Sequence, residues 1–272
     1  MIIDPVDPDS GESAKRINVG LAVELTIKDL MQLHGLELTE SSSVPVLPAT
    51  AKAMVEVYAE PASLERWKRW INSELEVKCR PKGNWKKEPQ LSKESIQPFP
   101  DESVTRAFME EGGSVNETLP LDQSQITKGV KFYKWLHGLW LEQHVLAEMD
   151  AIAAEAQIQD YTANIETEPI NFEVDVVAIR GYQMFAISCT TSKNKGLVKS
   201  KLFEAYVRAR QMGGDEARIA LVCCSDDPAK VQSEMQQTLG DNGRIRVFGQ
   251  SDLPDIGNKL KQWILDQSKG AR

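Results

Sequence analysis

Phe172-Glu-Val-Asp-Val-Val-Ala-Ile179 and, after the turn Arg180-Gly-Tyr-Gln183, Met184-Phe-Ala-Ile-Ser-Cys-Thr190 decide how the rest of the chain reads. Both segments alternate as strands. A period of two puts Glu173, Asp175, Val177 and Ile179 on one face of the first. In the second, Ser188 and Thr190 share a face, and Phe185, Ile187 and Cys189 take the other. Upstream, Trp135, Leu139, Leu146 and Met149 recur at helical spacing, and Glu142 falls in the same stripe. An ionised acid on an apolar stripe is costly unless it is paired or metal-bound. One helix acid beside two strand acids makes a candidate site for a divalent cation, with the three carboxylates expected about 4–7 Å apart. The plain alternative is two solvent-facing strand acids and a surface glutamate.

Outward from this hairpin the chain reads as an α/β sandwich. Asp122 with Gln125 has the form of a capping box, and a long helix follows to about Ala156. Gln157 to Pro169 is a polar connection or weak strand. Lys195 to Met212 is a helix with an apolar face of Val198, Leu202, Ala205, Tyr206 and Ala209, stopped by Gly213-Gly214. Ala217 to Cys224 is nearly all apolar, as in a strand covered on both faces. A helix over Pro228–Leu239, a strand over Arg244–Phe248 and a helix over Leu253–Ile264 complete the order α-β-β-α-β-α-β-α.

Toward the N-terminus, Leu21 to Ile27 reads as a strand, and Thr26 caps a short helix that stops near Gly35. Glu40 to Ser43 has the composition of a linker. Leu47–Tyr58, Leu64–Leu75 and Asp101–Glu111 are helices, with Pro48 and Pro61 at helix starts. The expected division is 1–43 for a strand, helix and linker, 44–119 for a helical module, and 120–272 for the acid-bearing domain.

The 272 residues carry a net charge of −8, which argues against a generic nucleic-acid binder. The charge is uneven: Arg66 to Lys87 holds eight Lys/Arg against Glu74 and Glu76, a local +6. Lys68, Arg69, Lys82, Lys86 and Lys87, interleaved with Trp67, Trp70 and Trp85, form a candidate surface for phosphates and bases, and Lys193 and Lys195 are further candidate nucleic-acid contacts. In the competing reading the tryptophans are core and the cations a solvated face. Four cysteines without CxxC spacing imply a reducing cytoplasm and no zinc site. The absence of an 18-residue apolar run implies no membrane span.

Gly138-Leu-Trp-Leu-Glu142, Glu173-Val-Asp-Val-Val177, Ile187-Ser-Cys-Thr190 and Lys201-Leu-Phe-Glu-Ala205 together resemble the nuclease domain of the CRISPR-associated ancillary nucleases. In that family a CARF sensor domain precedes a PD-(D/E)xK nuclease domain. The resemblance covers about residues 120–272 and extends weakly to Leu21–Leu36. It implies a restriction-endonuclease-like fold and a cytoplasmic homodimer in antiviral defence. It also implies phosphodiester hydrolysis of DNA or RNA with Mg²⁺ or Mn²⁺ on Glu142, Glu173 and Asp175. Ser188 matches a tolerated variant of the motif. Thr190 departs from it, because the family has Lys there, and Phe172 stands where Asn is usual. A replacement cation is available from Lys193 or Lys195 past the strand, or from Lys201 on the next helix. Against this, Lys201 could simply pair with Glu204 at i+3. The stretch before Leu21 is too short for a sensor domain of roughly 100 residues, so a separate sensor subunit enters as a candidate partner. The alternative function is a nuclease-fold binding or assembly subunit that keeps the acids without cleaving. A nucleotide-binding α/β protein is disfavoured by the lack of GxGxxG and GxxxxGK.

Overall fold

The computed structural model describes residues 25–39, 46–77, 99–111, 133–168, 173–240 and 243–267. The expected linker at Glu40–Ser43, the loop around Trp85 with Lys82, Lys86 and Lys87, and the capping box at Asp122 lie outside the described residues, as do Asn171 and Phe172.

Helix α1 (Ile27–Leu33) opens with a full capping box in which Thr26 and Asp29 satisfy each other's backbone amides. Of the strand expected over Leu21–Ile27, only Leu25 to Ile27 are described. There the capping box wins: Thr26 is the N-cap and Ile27 the first helical residue. Strand β1 (Glu37–Thr39) follows. Helix α2 (Pro48–Ala59) and helix α3 (Pro61–Trp70) each start on proline, which suits a first turn whose amides have no intrahelical acceptor. A π turn extends α3 over Ile71–Glu76, and α4 (Glu102–Glu110) is capped by Asp101. A second π turn, Trp135–Leu139, leads into α5 (Trp140–Ala156). Then come β2 (Asp160–Glu168), β3 (Glu173–Arg180), β4 (Gln183–Thr190), α6 (Lys195–Gly213), β5 (Arg218–Cys223), α7 (Pro228–Leu239), β6 (Ile245–Phe248) and α8 (Ile256–Gln267). The polar segment after α5 is thus a full strand, and the order gains one β element over the sequence reading.

The six strands form one open sheet in sequential order, antiparallel from β1 to β4 and parallel from β4 to β6. Helices cover both faces. On one face, Val176, Ala178, Phe185, Ile187 and Val222 share a core with α2–α5 and α8. On the other, Val177, Ile179, Ala186, Ile219 and Leu221 pack with α1, α6 and α7. Trp67 and Trp70 belong to the first core, and Phe99 packs on both rings. For these two tryptophans the core reading holds. The outer edge, β6, is partly sealed: Gln232 of α7 accepts from the Val247 amide, and Gln236 donates to the Ile245 carbonyl.

The sheet is interrupted at one point. Across β2–β3 the paired residues run continuously except at Asn164 and Asp175, which the register sets opposite each other. Asn164 has φ +54°, a left-handed conformation in mid-strand. Ala163 packs toward the α5 core, whereas Ile165 is buried in the α6 core. Likewise Val174 and Val177 both face the α6 core while Val176 faces the other. The period of two expected to unite Glu173 with Asp175 and Val177 therefore breaks at Asp175. A β-branched residue is strained by about 1–2 kcal/mol in this region of φ, whereas Gly enters it freely. Asn164→Val is expected to destabilise more than Asn164→Gly by urea denaturation, the reverse of the order in a regular strand.

Candidate functional site

Asp175 sits where the sheet opens. The β3–β4 ladder ends at Val176 opposite Ile187. Beyond it, the Cys189 amide donates to Asp175 Oδ2 at 2.6 Å and the Ser188 hydroxyl to the same oxygen at 2.8 Å. Asp175 is only 3 % exposed. From the layer above, α5 brings Glu142, itself buried. From the layer below, α6 brings Lys201, whose Nζ lies 3.5 Å from Asp175 Oδ2. The splayed strand ends let Lys201 reach this carboxylate from α6.

This placement resolves the alternatives for Lys201. Glu204 pairs with Arg208 one turn on, and Arg208 also donates to the Glu173 carbonyl. Lys201 pairs with Asp175 instead. Lys193 pairs with Asp226 at 3.0 Å and Lys195 with Glu234 at 2.8 Å, so both loop-side candidates are directed toward α7 and the loop before it. Thr190 ends β4, and its hydroxyl accepts from the Ser192 amide.

The electrostatics follow from burying acids together. Burial and the neighbouring charge of Asp175 push Glu142 up to about 9, with Lys201 opposing them, so its carboxyl is protonated at neutral pH. Glu173, at the start of β3, is exposed to solvent; partial desolvation, then Asp175, raises it as well. Burial alone would lower Lys201, but the charges of Asp175 and Glu142 outweigh it and hold the ammonium above its ordinary value. Burial pushes the Cys189 thiol well up, an inert small hydrophobe in this setting.

The donor set is all oxygen, which suits a hard divalent cation. The spacing is less closed: among the described residues, no group of three His, Cys, Asp or Glu side chains is gathered closely enough to hold a metal ion.

A cleft of about 550 Å³ is lined in part by Glu142, Thr190 and Lys201; Glu173 and Asp175 are not among the residues lining it. Lys68 and Lys193 of the expected phosphate-binding set reach it. Arg69 lies exposed on α3 and is not among the residues lining it. Tyr133, Lys134 and His137 also line the cleft and were not singled out in the sequence. The available signal was their position one to two turns before Glu142 on the same helical run.

No protein-family model and no curated protein matches the sequence. Solved structures do. Protein VC1899 from Vibrio cholerae superposes with a TM-score of 0.60 at 20% identity, over 89% of this chain and 62% of that one. Can2 from Sulfobacillus thermosulfidooxidans, solved in complex with cyclic tetra-adenylate, gives 0.54 at 15% identity, over 88% and 61%. The fold is broadly restriction-endonuclease-like. The chain spans about three fifths of the length of each of these two proteins. Among the described residues, no helix is long and apolar enough to cross a membrane.

The raised Glu142 carries a pH consequence. The folded state holds a proton that the unfolded chain releases near its ordinary value of 4.5. Its contribution is therefore complete below that value and is lost as pH rises toward 9. Thermal unfolding followed from pH 5 to pH 9 should show the parent losing stability across this window. Glu142→Gln, neutral throughout, should flatten the slope and leave only the weaker trend from Glu173. An unchanged slope would place Glu142 in a more solvated setting.

Proposed function

We propose that this chain is a metal-dependent nuclease, with Glu142, Glu173 and Asp175 holding Mg²⁺ or Mn²⁺ and Lys201 supplying the cation that Thr190 cannot. The observation that carries the reading is the Lys201–Asp175 pair: a lysine from the following helix reaches the central acid, where the related motif uses the strand. The fold-level likeness to VC1899 and Can2 is consistent with it, as is the resemblance of the four sequence motifs to the CRISPR-associated ancillary nucleases. When bound, the cation would polarise the phosphate and activate a water. Glu142 would give up its proton as that positive charge arrives. Ser188 and the Cys189 amide keep Asp175 oriented. Lys201 offsets phosphate charge beside it, and Lys68 and Lys193 draw the strand into the cleft. Action in antiviral defence, a homodimeric state and a separate sensor subunit belong to the same reading.

The substrate test is incubation with single- and double-stranded DNA and RNA plus Mn²⁺ or Mg²⁺. Asp175→Ala is expected to abolish cleavage. Lys201→Ala should lower it about 10²-fold, the ~3 kcal/mol typical of one preorganised charge. Equal cleavage by Lys201→Ala would return the role to Lys193 or Lys195. A second reading, a binding or assembly subunit on the same fold, is favoured by Thr190 and by the ungathered acids. It prevails if the parent is inert and Thr190→Lys cleaves.

Binding gives an independent measure. Reversing Lys68 and Lys193 to Glu should weaken nucleic-acid affinity and flatten its dependence on salt, by about one in the log–log slope per lost phosphate contact. Affinity unchanged at low salt would make both lysines a solvated face.

A further inference from the structure

A pair of stacked rings stands in the lining of the cleft. Tyr133 and His137, one helical turn apart, lie 5.7 Å centroid to centroid with their planes 28° apart. Tyr133 is buried and His137 is exposed, so the imidazole terminates the stack at the solvent side. His137 sits in the π turn Trp135–Leu139, a wide turn of a kind found frequently at functional sites. Its carbonyl accepts from the Thr191 hydroxyl at 3.0 Å. Thr191 is two residues past Cys189, whose amide holds Asp175, so the ring pair is tied to the acid site through β4. Lys68, Lys134, Lys193 and Lys201 line the same cleft.

Rings in the wall of a lysine-lined cleft can recognise a base by its π-face while the lysines follow the phosphates. A base inside a duplex has both faces covered by its neighbours and cannot add to the stack. We infer that His137 is a base-stacking residue that receives one unpaired base of a single-stranded nucleic acid drawn across the acid site. This rests on the nuclease-cleft reading above and adds a specificity element to it. Stacking, rather than charge, does the work, so any flat ring at position 137 should serve.

The test is equilibrium binding of a fluorescent single-stranded oligonucleotide to the full chain in EDTA, where cleavage plays no part. The set comprises the parent, His137→Ala, His137→Phe, and oligonucleotides with an abasic site walked along the strand. Loss of one base stack is worth about 1–3 kcal/mol, so His137→Ala should bind roughly tenfold more weakly. His137→Phe should bind as the parent does. One abasic position should weaken the parent by a similar factor and leave His137→Ala unchanged. A matched duplex should bind the parent and His137→Ala alike. Equal single-strand binding by parent and His137→Ala overturns the inference and leaves the nuclease reading standing. Weak binding by His137→Phe also overturns it, assigning His137 a hydrogen-bonding role. No binding of any nucleic acid by the parent overturns both.

Discussion

Asp175 is a carboxylate in a place where water scarcely reaches, and three groups converge on one of its oxygens. Its Oδ2 accepts hydrogen bonds from the Ser188 hydroxyl and the Cys189 amide and pairs with the Lys201 ammonium. Each donor comes at a structural cost. The Cys189 amide donates to a side chain where a ladder bond would have continued, so β3 and β4 part there. Lys201 must cross from α6, on the opposite layer from Glu142. Remove the lysine and the acid is left buried without a countercharge, the situation that costs most in an interior. The left-handed Asn164 stands opposite Asp175 in the register, at the one gap in the β2–β3 pairing. The irregularities of the sheet thus gather around one carboxyl group.

Much of this was legible in the sequence. Glu142 announced itself because an acid interrupted an apolar stripe, and the strand pair announced itself by alternation. Lys201 was named but its partner was ambiguous. Local spacing offered Glu204, whereas the actual partner is 26 positions away in a strand beneath the helix, a contact no periodicity reports. Strand β2 was hidden by its polarity: it is only half-buried along most of its length, so it lacks the hydrophobic signal of β3 or β5. The cap at Thr26 was read from the sequence and is present, whereas the hydrophobic run before it drew the expected strand on to Ile27, which is helical. The break in alternation at Asp175 had no sequence signature, since Asn164 looks like any other residue of a polar segment.

The two π turns bear on the same theme. Both adjoin helical runs, one following α3 after Trp70 and one leading into α5 before Trp140. A π turn widens the helix by one residue and shifts the phase of everything after it. Before α5, that shift is what lets buried Trp135 and Leu136 and buried Trp140 and Leu141 all face the core while His137 and Gly138 stay at its rim. Gly138 matters there because a Cβ would sit 3.5 Å from the Thr191 hydroxyl, an ordinary contact but one that closes the gap between the helix and the end of β4.

The glutamines of α7 bear on how copies of the chain can associate. An unpaired parallel edge is a template on which a neighbouring molecule can lay a strand, and unchecked growth of that kind leads to aggregates. With the Val247 amide held by Gln232 and the Ile245 carbonyl by Gln236, a newcomer at β6 would have to displace two bonds before forming its own. Strand exchange at this border is thereby discouraged.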